Sequence, residues 1–250
     1  ITEGKYTDMF KPALKLEFPL PGTLKLSENR FGDFLTDAMR LGVADITGKP
    51  VDFAFEANGL IRGGLKPGNT SRGKGKVSYY QLPAGARLGT GPDRKPGYPL
   101  VEIYLTGKEV RNILEISVLL SELSGNNYFL QNSGVRYSYD RRRAVLFQIP
   151  ILDKPLPTGR AVLEAERFIG VGIQSQNRDE YKALPGEKEK LYRVVTDYYL
   201  MQFLPMVGEV VPSLELELKN EKGEPITKRE DAIIKVNGKE LKVWQALFHY

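Results

Sequence analysis

An α+β fold, a mixed sheet with packed helices, is what this sequence predicts, and three observations carry that prediction. Segments of period-2 alternation are interspersed irregularly with segments of helical spacing, which is not the regular order of a βαβ array. The 250 residues include 25 glycines and 16 prolines, enough punctuation for many turns and much strand. Apolar residues make up 41% and charged residues 27%, so the chain can bury a substantial core.

Residues 27–43 place Phe31, Phe34, Leu35, Ala38 and Met39 at the i, i+3, i+4 spacing of a half-buried helix, with Ser27 as the expected N-cap and Gly42 as the expected stop. Asp33 and Asp37 then share a helical face; with no histidine or metal motif beside them, they read as a solvated face. Val51–Phe55 alternates as a strand and runs into the turn signal Asn58-Gly59. Residues 66–76 form a basic, glycine-rich stretch that reads as a surface loop. Val101–Leu105 is a second alternating strand, and Thr106-Gly107-Lys108-Glu109 after it is a capping box. The helix it opens carries Val110, Ile113, Leu114 and Ser117 on one face. Val135, Tyr137 and Tyr139, then Val145, Phe147 and Ile149, predict a hairpin turned by Asp140 and Arg141–Arg143. Residues 176–190 are polar and read as loop, 192–195 as strand, and 198–204 as a short apolar helix. Leu214, Leu216 and Leu218 alternate with charged residues as a half-buried strand, Gly223 marks the turn after it, and Leu241, Trp244, Leu247 and Phe248 predict an amphipathic C-terminal helix.

The counts exclude whole classes of chemistry. There is no cysteine, hence no disulfide and no thiolate, and His249 is the one histidine. One histidine excludes a His-rich metal cluster, and its place next to the last residue argues against a His-based triad. The net charge of +5 is modest, and no aromatic residues interleave with the basic stretches, so nucleic acid is not an expected partner. No apolar run is long enough for a transmembrane helix. Residues 1–6 show no signal-peptide core, so the chain reads as cytosolic or as a piece whose start has been removed. Gly68 to Gly75 approaches the phosphate-binding pattern G-x-x-x-x-G-K-[ST], but Gly75 replaces the hydroxyl that would hold magnesium, and no strand-to-helix context surrounds it.

Several segments together resemble one family. Residues 27–39 (Ser-Glu-Asn-Arg-Phe-Gly-Asp-Phe-Leu-Thr-Asp-Ala-Met) resemble the "R-E-x-N-x-G-N-L-x-x-D-A" helix of the 5′-nucleotidase C-terminal domain. Residues 57–62 (Ala-Asn-Gly-Leu-Ile-Arg) are similar to its "N-G-G-G-I-R" loop, and residues 77–89 to the segment ending "L-P-F-G". Residues 101–114 resemble the following "L-T-G" strand and helix, and residues 129–137 resemble "F-L-Q-V-S-G-x-x-Y", closed by Tyr139-Asp140. The matches fall in order over most of residues 26–205.

The resemblance implies a 5′-nucleotidase C-terminal-domain-like fold over residues 1–250, with a core at about 20–205 and an extension at 206–250. It implies a substrate-recognition role in nucleotide catabolism, with no catalytic and no metal-binding residue in this chain. The hydrolase's divalent metals belong to a separate N-terminal metallophosphoesterase domain of the same polypeptide, and the bacterial family's setting is periplasmic or extracellular. The expected partner is a nucleotide or nucleoside-like small molecule. Carried over residue by residue, its contacts fall on Arg62, Leu88 and Tyr199, with Asn58 standing in for the loop asparagine by a shift of one residue. The sequence departs from the family pattern at Ser27 in place of arginine, at Ala57 in place of the loop asparagine, at Leu88 in place of the first stacking phenylalanine, and at Pro205 in place of an acid. An insert at 90–99 adjoins Leu88. The competing readings are a structural ion pair for Arg62 and a core tyrosine for Tyr199. For the whole chain, the alternative is a divergent structural or protein-interaction module that has lost nucleotide binding.

Overall fold

Alternating side chains on four strands build the central layer of this computed structural model, which describes residues 8–23, 25–149, 154–187 and 189–250. The strands in chain order are β1 (Pro12–Lys15), β2 (Leu20–Pro21), β3 (Phe53–Ala57), β4 (Gly64–Leu65), β5 (Lys76–Ser78), β6 (Leu100–Thr106), β7 (Leu130–Ser133), β8 (Val135–Tyr139), β9 (Val145–Ile149), β10 (Lys154–Pro157), β11 (Val162–Phe168), β12 (Tyr181–Ala183), β13 (Leu191–Asp197), β14 (Lys235–Val236) and β15 (Lys239–Glu240). The α-helices are α1 (Arg30–Asp37), α2 (Val43–Thr47), α3 (Gly107–Ser124), α4 (Tyr198–Val210) and α5 (Val243–Ala246).

The central sheet has the order β6-β13-β3-β7, parallel between β13 and β3 and antiparallel elsewhere, so the expected mixed sheet is present. Successive side chains point to opposite faces. Phe53, Phe55, Val101, Ile103, Leu105 and Val194 enter one apolar layer with α3 and α4, whereas Ala54, Leu100 and Val195 enter another with α1 and Trp244. A second antiparallel sheet, β12-β11-β8, adds Val135, Val162 and Ala165 to the first layer. The capping box forms as predicted: Thr106 Oγ1 accepts from the Glu109 amide at 3.3 Å, and the Glu109 carboxylate accepts from the Thr106 amide at 2.8 Å.

Several local expectations are corrected. The N-cap of α1 is Asn29, whose side chain accepts from the Gly32 amide at 2.8 Å, not Ser27. Gly42 does not end the helix. The chain continues through a π-helical turn at Ala38–Gly42 into α2, which stops at Gly48 with φ 67°. Gly42 is instead a close-approach residue, since a Cβ there would lie 2.6 Å from the Ala246 carbonyl oxygen. The predicted hairpin is not formed: β8 pairs with β11, and β9 pairs with β10. Burial decides this partner choice, because β11 brings Val162 and Ala165 to the apolar layer that Val135 also enters. The side chains of Phe147 and Ile149 lie outside the described residues.

The polar 176–190 stretch contains β12, which pairs with β11. Leu214 and Leu216 are buried as the alternation demands, but Leu214 closes a 3-10 turn, Leu216 follows it, and neither joins a strand ladder. Pro205 does not end α4. It removes one intrahelical hydrogen bond, while the burial of Leu204 and Val207 carries the helix to Val210. The C-terminal helix is a single turn, α5.

Candidate functional site

The topology of the central sheet gathers distant residues at one edge. Parallel β3 and β13 finish side by side, with Ala54 opposite Val195, so the turn after Ala57 and the start of α4 lie together. β6 runs antiparallel to β13, placing Leu100 opposite Asp197, and the Tyr198 amide donates to the Pro99 carbonyl at 2.9 Å. β7 runs antiparallel to β3, which brings the Asn126–Tyr128 turn to the same end. A cavity of about 350 Å³ opens there, lined by Arg62, Leu88, Tyr98, Tyr128, Tyr199 and Phe203 along with Ala57, Gly59, Leu60, Asn127 and Leu200. A crevice beyond the carboxyl ends of parallel strands is a common place for ligands in α/β sheets.

Arg62, Leu88 and Tyr199 therefore share one cavity. Arg62 is exposed and makes no ion pair among the described residues, so it is not the structural ion pair that competed with a site role. Tyr199 is 48% exposed and is not a core tyrosine. Asn58 is different. At 1% exposure, its Nδ2 donates to the carbonyls of Lys25 at 3.0 Å and Asn126 at 3.1 Å, and its Oδ1 accepts from Gln131 at 2.9 Å and Asn29 at 3.3 Å. Every polar valence of that amide is spent on the fold, and Asn58 does not line the cavity. Ala57 lines the cavity but offers no polar group. Ser27 lines a different cavity, and Pro205 lines a surface groove with Pro212 and Leu216.

The insert supplies a residue that sequence reasoning missed. Residues 89–98 fold back on themselves, with the Gly97 amide donating to the Gly89 carbonyl at 2.8 Å and the Tyr98 amide to the Leu88 carbonyl at 2.9 Å. Tyr98 is thus delivered beside Leu88, and its ring stacks on Tyr199 at 5.5 Å between centroids and 29° between planes. Gly89, at φ 73°, makes room for this, because a Cβ there would strike the Tyr98 ring. Opposite them, Tyr128 and Phe203 lie 5.8 Å apart. The one signal available in the sequence was Gly97-Tyr98-Pro99, an aromatic held between two turn-forming residues at the exit of the insert.

A buried acid pair supports this site from beneath. Asp197 caps α4, its Oδ1 accepting from the Leu200 amide at 2.8 Å, one residue beyond Tyr199. Glu56 is buried against Asp197; burial and the neighbouring carboxylate push its carboxyl well above the usual carboxylate range, so Glu56 keeps the proton. The insert is anchored as firmly. The Lys242 ammonium, 4% exposed, lies 2.7 Å from both Asp93 and Glu240, the Asp93 amide donates to Glu240 at 2.9 Å, and the Trp244 indole donates to the Pro96 carbonyl at 3.2 Å.

The described residues contain no group of three or more acidic or histidine side chains able to hold a metal ion, and no helix long and apolar enough to cross a membrane. The 5′-nucleotidase C-terminal domain model matches residues 20–204. No curated protein matches the chain by sequence. Among solved structures, a 5′-nucleotidase precursor from Thermus thermophilus is similar at a TM-score of 0.54 and 20% identity, over 99% of this chain and 37% of that one. A putative 5′-nucleotidase from Staphylococcus aureus, in complex with alpha-ketoglutarate, gives 0.49 at 12% identity over 96% and 37%. NAD nucleotidase from Haemophilus influenzae gives 0.47 at 15% identity over 77% and 29%. The chain thus spans only 29–37% of the length of these proteins, and the likeness to the first of them is one of fold. With its ordered sequence motifs, its mixed sheet and the match over residues 20–204, the chain belongs to the 5′-nucleotidase C-terminal domain family.

Proposed function

We propose that this chain is the substrate-recognition part of a bacterial 5′-nucleotidase-like phosphoesterase, binding a nucleoside or nucleotide in the cavity at the end of the central sheet. The observation that supports the reading is the convergence of Arg62 and Tyr199, which belong to distant stretches of sequence, on one aromatic-walled cavity. A base stacks on Tyr199, which Tyr98 backs from behind. A base–aromatic stack contributes about 1–3 kcal/mol. The Arg62 guanidinium, with no carboxylate partner among the described residues, binds phosphate or ribose oxygens, which its planar fork of donors suits. The aromatic walls exclude water from the bound ligand.

Metal-assisted hydrolysis belongs, in this reading, to an N-terminal metallophosphoesterase domain of the same polypeptide in the periplasm or outside the cell. The donor set of the described residues does not fit a two-metal centre. This chain binds and orients; the neighbouring domain carries out the chemistry.

Calorimetry with adenosine, AMP and a nucleotide-sugar tests the proposal. Tyr199→Ala is expected to weaken all three ligands by about 1–3 kcal/mol. Arg62→Ala is expected to weaken AMP and the nucleotide-sugar more than adenosine. Binding that neither substitution affects would remove the cavity from consideration, and no binding of any of the three would favour a structural or interaction module instead.

A further inference from the structure

A second cavity, of about 600 Å³, opens beside α1, β7, β8 and β12 and shares no lining residue with the first. Glu28, Asp33, Asp37 and Asn132 give it a polar lining, and Phe129, Tyr137 and Tyr139 an aromatic one. Asp33 and Asp37 are half-buried at its wall, so the expectation of a solvated helical face does not hold. Asn132 is only 5% exposed, and neither end of its side-chain amide has a hydrogen-bond partner; Asp33 Oδ1 is likewise buried and unpaired. Buried polar groups left unpaired are costly, and when they line a cavity a ligand can complete them.

The charges are equally unfinished. Asp37 accepts from Ser133 Oγ at 2.5 Å, Ser133 accepts from Arg40 Nε at 2.7 Å, and Arg40 is the cation facing Asp37. Arg136 also lines the cavity, but it is 2.7 Å from Glu166 and sits 3.6 Å over the Tyr181 ring. Glu28 and Asp33 have no basic partner among the described residues. Burial first, then the charges of Glu28 and Asp37, push the Asp33 carboxyl up to about 7.

We propose that this cavity binds a small organic cation, an alkylammonium whose charge lies between Glu28 and Asp33, with Asn132 completing its hydrogen bonds and the rings of Phe129, Tyr137 and Tyr139 against its carbon chain. An ammonium offers three donors, which Asp33 Oδ1, the Glu28 carboxylate and Asn132 Oδ1 can accept. Aromatic faces favour a cation over a neutral ligand. A bare metal ion is a poorer fit, since the described residues hold no group of three acidic ligands able to coordinate one.

Titration calorimetry of the whole chain with putrescine, against xylitol as a neutral polyhydroxylated comparator, tests this. Putrescine is expected to bind and xylitol not. Affinity is expected to rise by up to about tenfold between pH 6 and pH 8, as Asp33 loses its proton. The titratable groups around Asp33 are Glu28 and Asp37 on its own segment, Arg136, Tyr137 and Tyr139 from β8, and Tyr181 from β12, with Arg40 and Tyr250 beyond them against Asp37; neither basic group is free to replace the ligand. Asp33→Asn and Asn132→Leu should each weaken putrescine by about tenfold or more, the loss of one charge-assisted hydrogen bond. Should a variant fail to fold, carboxyl-carbon NMR of the unaltered chain supplies the answer, because bound putrescine must shift the Asp33 titration to lower pH. No putrescine binding, equal binding of xylitol, binding that Asp33→Asn leaves intact, or an unshifted Asp33 titration would each overturn the proposal. Adenosine binding in the first cavity is read separately, so either reading can fail without the other.

Discussion

Arg62 and Asn58 stand four residues apart in one turn and do opposite work. The guanidinium is exposed at the cavity, whereas the amide disappears into the core, where it joins the segment before α1 to the turn before β7. Asn58→Ala is therefore expected to cost about 1–3 kcal/mol, because it leaves buried partners unpaired; urea unfolding measures this, and unchanged stability would remove its structural role. Sequence could not separate the two roles, since both residues fit a ligand-binding loop and only the neighbours of each side chain decide between them. Tyr98 was hidden for a related reason: its place in the cavity depends on a loop folding back through Gly89 and Gly97, a tertiary event with no periodicity to betray it. Asp33 carried a quieter signal, being an acid where the resembling helix motif has asparagine.

The elements themselves were more legible. β3, β6, β13 and α3 follow from alternation, capping and helical spacing, because each buries one face against a neighbour. Strand partners were not legible: alternation in β8 and β9 says that each has a buried side but not which strand lies beside it, and a short turn between them suggested the wrong answer. The contact between the insert and the segment before α5 centres on one buried cation and two carboxylates. Lys242→Met leaves Glu240 and Asp93 without their counter-charge, and breaking such a buried pair costs about 3–5 kcal/mol. Thermal unfolding should record this loss, and nucleoside binding should weaken with it as Tyr98 loses its support. Intact binding would show that the remaining contacts, Trp244 to Pro96 among them, hold the insert without Lys242.

For the whole molecule, pH is the most direct probe of its buried acids. Glu56 and Asp33 both hold protons in the folded chain that the unfolded chain releases above its ordinary carboxylate pKa. Their contribution to stability is present below about pH 4 and declines as pH rises, for Asp33 through about 7. Glu56→Gln and Asp33→Asn should each flatten the fall in stability between pH 5 and pH 8; melting temperatures at the two pH values decide, and an unchanged difference would contradict the assigned protonation. The purified chain should release no phosphate from AMP with added divalent metals, since the described residues lack a metal ligand set; metal-dependent turnover that survives repurification would contradict the division of labour. The anchoring of the insert also reaches beyond this chain. Residues 90–99 owe their shape to Lys242, Trp244 and Glu240, which lie past the span matched by the family model. An engineer grafting the insert onto a relative to transfer its ligand preference would receive a limp loop, and success requires both pieces to be transplanted as one cassette.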